Sequence, residues 1–221
     1  MTTPARRHFQ RYAAASAAAA AGEDMEGDVY MQHLKMLHED KAQLSAIRSI
    51  AAREDVKRAL LPKYQPYIAG VLEHGNGAND QVLATVLLWS IDAGDIAGAL
   101  PMAEYAIKHG LAAPDAHART NAEILAEESV TKLMDGDDGI SADNLELLEH
   151  IEALVAGEDL VDQVRAKLHK ALGRANEEAG HDEAAIEQYR KALSAHSKCG
   201  CKRLLDELER RIKKTNDQPK V

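Results

Sequence analysis

Residues 86–110 read VLLWSIDAGDIAGALPMAEYAIKHG, and this stretch decides the fold. Val86, Leu87, Trp89 and Ile91 give one helix a broad apolar surface, Gly94 supplies the left-handed residue that ends it, and Asp95 is placed to cap the next. Ala99, Ala103 and Ala106 follow at helical spacing and keep the second helix thin, so two backbones can lie close. Pro101 stands inside that helix, where it removes one backbone donor and predicts a kink. The design recurs at residues 172–193, LGRANEEAGHDEAAIEQYRKAL, with Gly180 in the place of Gly94 and Ala185, Tyr189 and Ala192 in the places of the three alanines. Two hairpins of one type predict an all-α fold of helical hairpins with tetratricopeptide-like packing.

Composition agrees. The 221 residues are 45% hydrophobic but only 4% aromatic, and abundant alanine suits closely packed helices better than a sheet. A net charge of −9 excludes a protein whose whole surface coats nucleic acid, so any such contact must come from a segregated basic patch. Cys199 and Cys201 stand too close in sequence for a structural disulfide and lack partners for a metal site, which predicts free thiols in a reducing cytoplasm. Arg6, Arg7 and Arg11 followed by alanines to Ala21 imitate a signal peptide, but the run has no leucine or isoleucine core. It reads as a flexible basic N-terminal arm leading into a weak helix. No later apolar stretch is long enough to cross a membrane.

Three regions follow: a basic arm and acidic linker at 1–28, an N-terminal helical region with the first hairpin at 29–111, and a C-terminal helical region at 112–221. In the middle region, Tyr30, Leu34, Leu37, Leu44, Ile47 and Ile50 mark one long amphipathic helix, whose basic side runs on through Arg48, Arg53, Lys57 and Arg58. Leu60, Leu61 and Pro62 end or restart it, and a helix beginning at Tyr64 is stopped by Gly75 and Gly77. In the last region, Ser141 caps a helix striped by Leu145, Leu148, Ile151 and Val155. The final helix, 198–214, carries Leu204, Leu205, Leu208 and Ile212 on one side and Lys202, Arg203, Arg210, Arg211, Lys213 and Lys214 elsewhere. Its apolar side suits packing onto the second hairpin or association between subunits.

Motifs of chemistry are absent from the sequence. There is no glycine-rich phosphate loop with its lysine, no nucleophile elbow and no compact acid-and-lysine nuclease cluster. DGDDG at 135–139 imitates a piece of a calcium loop without the further ligands and terminal glutamate. His33 and His38, five apart, diverge around a helix and do not make a ligand pair. No metal, no cofactor and no defined catalytic residue are expected. Charge, however, is segregated: no acid precedes Glu23, while acids crowd 123–162. The candidate DNA-binding cations are Arg6, Arg7 and Arg11, with Lys41, Arg48, Arg53, Lys57 and Arg58 as a second surface.

Several short stretches carry a resemblance. They are Pro4-Ala5-Arg6-Arg7-His8, Leu60-Leu61-Pro62, Gly70-Val71-Leu72-Glu73, Gly77-Ala78, Leu88-Trp89, the run from Gly94 through Asp95, Ile96, Ala97, Gly98 and Ala99 to Leu100, and Val164 to Lys170. Together they span most of the chain, with a weaker match over 112–162, and the chain resembles the small terminase subunit of peduovirus-type temperate phages, a family often labelled terminase endonuclease subunit. The resemblance implies recognition of the cohesive-end region of viral double-stranded DNA and its delivery to a large terminase subunit, which cuts it and drives it into the capsid by ATP hydrolysis. It also implies a homo-oligomeric ring in the cytoplasm of the infected host, with no membrane contact. The oligomer or partner interface is expected at Leu204, Leu205, Leu208 and Ile212. Three classes of function stand together: a DNA-recognition subunit, with binding that weakens steeply with salt; a catalytic endonuclease making the cohesive-end cuts, with metal-dependent nicking; and an interaction scaffold that binds no DNA.

Overall fold

The structure, a computed structural model, describes residues 3–20, 25, 27–114, 119–134 and 139–216. Among these are eleven α-helices and no strand, so the fold is all-α. The chain divides into two units, Met1–Asn121 and Ala122–Val221. The first holds α1 (Pro4–Ala20), α2 (Asp28–Ser45), α3 (Ile50–Leu60), α4 (Gln65–His74), α5 (Gln81–Asp92) and α6 (Ile96–Lys108). The second holds α7 (Asn121–Leu133), α8 (Leu145–Val155), α9 (Asp162–Glu178), α10 (Asp182–Ala195) and α11 (Cys201–Asn216).

The hairpin turns form as their glycines require. Gly94 takes φ 83°, its amide donates to the Ile91 carbonyl at 2.9 Å and the Asp95 amide to that of Ser90 at 2.9 Å, which closes the carbonyl end of α5. The Asp95 carboxylate then accepts from the Gly98 amide at 3.0 Å and caps α6. The second turn repeats this backbone closely. Ala179 has the same φ −76° and ψ −5° as Ala93, and His181 has φ −90° and ψ 63° against −89° and 64° at Asp95. Between them Gly180 takes φ 77°, and the His181 amide donates to the Asn176 carbonyl at 2.8 Å. The six matched positions, Ala99, Ala103, Ala106, Ala185, Tyr189 and Ala192, are all buried.

Elsewhere local expectations change. The long helix expected to run past Ile50 is two helices: Ser49 is extended, and its hydroxyl accepts from the Ala52 amide at 3.3 Å, so a cap starts α3 where the apolar spacing ran on. Ile50, counted with the buried stripe, is 68% exposed. The basic arm and the weak helix expected after it lie on one helix that begins at Pro4, with Ala14, Ala15 and Ala18 buried. A Cβ on Gly70 of α4 would lie 2.4 Å from the Arg11 carbonyl oxygen and 2.8 Å from the Ala15 nitrogen, so α1 and α4 touch backbone to backbone. Alanine's small side chain is what permits that approach, and dispersion across the contact holds it. Pro101 sits within α6, which continues through it; Pro101 and Ala97 are both exposed, so the carbonyl left without its helical donor faces water. The acidic linker at 22–28 and the DGDDG stretch lie largely outside the described residues.

Three tyrosine hydroxyls fasten helices together. Tyr64 donates to Asp40 of α2, Tyr67 of α4 to Asp80 ahead of α5, and Tyr189 of α10 to Glu177 of α9, each at 2.7 Å. Burial, reinforced by the adjacent carboxylate, lifts the pKa of each phenol well above its ordinary value, so each remains a donor at physiological pH. The other Asp80 oxygen accepts from the Val82 and Leu83 amides at 2.8 and 3.0 Å and caps α5. His33 stacks on Tyr67 with ring centroids 4.5 Å apart and its Nδ1 lies 2.7 Å from the Val29 carbonyl. In the second unit His169 Nδ1 lies 2.8 Å from Oε1 of Gln188, which ties α9 to α10.

The seating of α1 on α4 is open to a direct test. Gly70→Ala is expected to destabilise α1, because overpacking against backbone costs about 1–3 kcal/mol and exceeds the roughly 1 kcal/mol of helix propensity gained. Hydrogen exchange should show residues 4–20 losing protection while α5 and α6 keep theirs; an unchanged α1 would contradict the close approach. Stability should also depend on pH. Burial is the main cause that lowers the pKa of His33 and His169 below 6.5, so the unfolded chain binds their protons more tightly than the folded one. Their contribution is full above about pH 6.5 and is lost as pH falls toward the lowered folded values. The melting temperature should drop from neutral pH to about pH 5, and the double variant His33→Gln/His169→Gln should show a flatter profile over that window.

Candidate nucleic-acid interface

The sequence-predicted cations separate into two kinds once their surroundings are visible. On α1, Arg6 and Arg7 are exposed and make no ion pair among the described residues. Arg11, one turn further along, turns back to Glu73 of α4 and donates from Nε at 2.9 Å, with a second, shorter bond from its terminal nitrogen. That partner holds the Glu73 carboxyl below its usual pKa. Phe9 and Tyr12 on the same helix are each 67% exposed.

The second predicted surface is largely engaged within the chain. Lys57 is half-buried and ion-paired with Asp92 in the last turn of α5. Arg58 bonds to Asp55 at 2.7 Å and donates to the Ala93 carbonyl at 2.9 Å. Cations at the carbonyl end of a helix meet both its free acceptors and its negative dipole end, so these two side chains clamp α3 onto α5 beside the Gly94 turn. Arg53 is part-buried, with Nε lacking a hydrogen-bond partner. Lys41 and Arg48 are exposed; burial of its surroundings holds the Lys41 ammonium below the ordinary lysine value.

The four residues expected at an oligomer or partner interface are occupied by the chain itself. Leu204 and Leu208 are buried with Ala185, Tyr189 and Ala192 of α10, and Leu205 and Ile212 pack partly against the same cluster. Packing onto the second hairpin is one of the two uses the sequence allowed, and it leaves Leu205 and Ile212 only partly buried. Ion pairs hold α11 at its flanks: Arg211 donates to Glu177 at 2.9 Å and to Asp182 at 2.8 Å, and Arg190 of α10 to Glu209 at 2.8 Å. The other side of α11 carries exposed cations to which the sequence alone assigned no role. Their signal lay in the 100° helical spacing, which separates them from the leucines, but an apolar stripe on a terminal helix points first to association.

Cys199 is half-exposed and Cys201 buried, both as free thiols. His33 is buried and His38 exposed, on different sides of α2. Among the described residues no three His, Cys, Asp or Glu side chains come together where a metal ion could be held.

An all-helical, acidic protein with its open cations confined to a few helix faces is what the geometry defines, and comparison places it. The chain belongs to the phage small terminase subunit family, whose profile matches residues 34–163, from α2 to the start of α9. A relative from Escherichia phage P2, named terminase, endonuclease subunit, is 41% identical over 224 residues, covering 100% of this chain and 90% of that protein. No solved structure matches the chain. No helix among the described residues is long and apolar enough to cross a membrane.

If Lys57 and Arg58 clamp α3, their replacement should be felt in stability. Lys57→Ala/Arg58→Ala is expected to lower unfolding free energy by about 1–2 kcal/mol, read from urea denaturation, with faster exchange of α3 amides. A variant as stable as the parent would free both residues for another role.

Proposed function

We propose that this chain is the DNA-recognition subunit of a phage packaging terminase: it binds the cohesive-end region of viral double-stranded DNA and presents it to the large ATPase and nuclease subunit. Family membership supports the terminase role, and the observation that carries the DNA contact is the exposure of Arg6 and Arg7 without acidic partners in a chain of net charge −9. Phosphates are the partner such cations fit, because they offer charge without requiring a shaped pocket. Arg11 joins them by exchanging Glu73 for a phosphate, and Arg48, Lys41 and Arg53 are a secondary set of candidate contacts; Lys57 and Arg58 contribute least. Assembly into a homo-oligomeric ring multiplies these few arginines into a continuous belt of high effective concentration. Leu204 and Leu208 are covered by α10, while Leu205 and Ile212, only partly covered, stay the expected edge of the ring contact.

A catalytic reading is favoured by one observation, the name of the P2 relative, which calls that protein an endonuclease subunit. Divalent-metal-dependent nicking of cohesive-end DNA by the purified chain, without the large subunit, would establish it.

The test of the main reading is duplex binding as a function of salt. Arg6→Ala/Arg7→Ala/Arg11→Ala should weaken binding to cohesive-end and unrelated DNA alike and flatten the salt dependence, by about one unit of slope for each phosphate no longer bound. Light scattering should give the variant and the parent the same mass, a multiple of 24.0 kDa. Unchanged affinity and slope would remove the arm from the interface.

A further inference from the structure

We infer that the outer face of α11 is a second binding surface for the phosphate backbone of duplex nucleic acid, formed by Lys202, Arg210, Lys213 and Lys214 with Lys198 just ahead of the helix. The inference rests on the DNA-binding reading above and adds a site in the second unit. At 100° per residue, Cys201, Leu204, Leu205, Leu208 and Ile212 fill one arc of α11, while Lys202, Arg203, Asp206, Glu207, Arg210, Lys213 and Lys214 fill the other. The apolar arc is packed on α10, and the Arg211 and Arg190 ion pairs fasten both edges, so α11 cannot roll and its basic arc faces solvent.

The pairing pattern within this unit is what points outward. Arg174, Arg190, Lys191, Arg203 and Arg211 each have an acidic partner within 3.4 Å. Lys198, Lys202, Arg210, Lys213 and Lys214 have no ion pair among the described residues, although the chain holds 36 acids to 27 bases. Like charges kept one to three turns apart repel, and a polyanion laid along the helix relieves that repulsion. Lys202 to Lys214 spans about 18 Å at 1.5 Å per residue, which is about five base-pair steps of roughly 3.4 Å measured along the duplex axis. The groove at the start of the helix is open rather than enclosed, and its lining sets Lys198, Lys202, Arg203 and Arg210 against Asp206 and Glu207, of which Glu207 is paired with Arg203. No leucine or isoleucine stands on the basic arc, so it lacks the apolar centre of a protein interface, and contact through charge alone suits phosphates. Such a surface positions DNA without reading its sequence.

The test is fluorescence anisotropy of labelled duplexes with the full-length chain across a salt series. Lys202→Glu/Arg210→Glu/Lys213→Glu should weaken binding about tenfold or more, equally for cohesive-end and unrelated duplex, and reduce the salt slope by about three. These side chains are exposed, and an unchanged melting temperature would show that the fold is kept. A control, Lys35→Glu/Lys108→Glu, alters lysines elsewhere on the surface and should have a much smaller effect; an equal effect would mean that only net charge matters and would overturn the site. Wild-type affinity and slope in the α11 variant would overturn it too, as would retained DNA binding with loss of the large subunit, which would make the face a protein contact. Failure of the broader reading looks different: the unmodified chain would show no salt-dependent duplex binding at all.

Discussion

A phenol hydroxyl donating to a carboxylate at 2.7 Å is a joint that recurs in both units of this protein. With one tryptophan and one phenylalanine in the chain, tyrosine supplies much of the large core volume, and each buried hydroxyl then needs a partner. An acid-rich sequence offers the strongest acceptor available. The same carboxylates are not idle elsewhere: Asp80 caps α5 while holding Tyr67, and Asp40 holds Tyr64 while accepting from Lys63 at 2.8 Å. Tyr64 also meets Trp89 edge-on at 6.1 Å, so one joint carries α2 and the first hairpin together.

The acid excess also decides which cations are available. Arg11, Lys57 and Lys63 each reach a carboxylate on another helix of the first unit, and Arg211 reaches two in the second. Exposed cations with no ion pair among the described residues include Arg6 and Arg7 on α1, Lys35 and Lys41 on α2, Arg48, Lys108 on α6 and one arc of α11. On the proposed DNA-binding reading, an acid excess that repels a polyanion leaves such cations as the places where duplex can approach.

The hairpins were legible because their signals are local: a glycine with positive φ and, five, nine and twelve positions on, buried residues that are alanine in every case but Tyr189. The break at Ser49 was not, since apolar spacing continues across it and only the cap bond reveals it. Alanine has no amphipathic signal, so the seating of α1 on Gly70 could not be read from α1 itself. The state of the candidate cations was hidden for a related reason. Arg11 lies 62 residues from Glu73, and Arg58 lies 35 from the carbonyl it bonds, distances over which spacing carries no information. The arcs of α11 were readable in sequence, but which arc is covered depends on α10.

Glu177, near the end of α9, receives Tyr189 at 2.7 Å on one oxygen and Arg211 at 2.9 Å on the other. One carboxylate thereby joins α9, α10 and α11, and a shared joint of this kind couples the opening of one helix to the other two. Its side chain is only 17% exposed, so mobile ions screen this joint far less than they screen charges on the open arc of α11. If the outer arc of α11 holds a polyanion as proposed, rising ionic strength loosens that contact before it loosens α11, so release does not require the fold to give way.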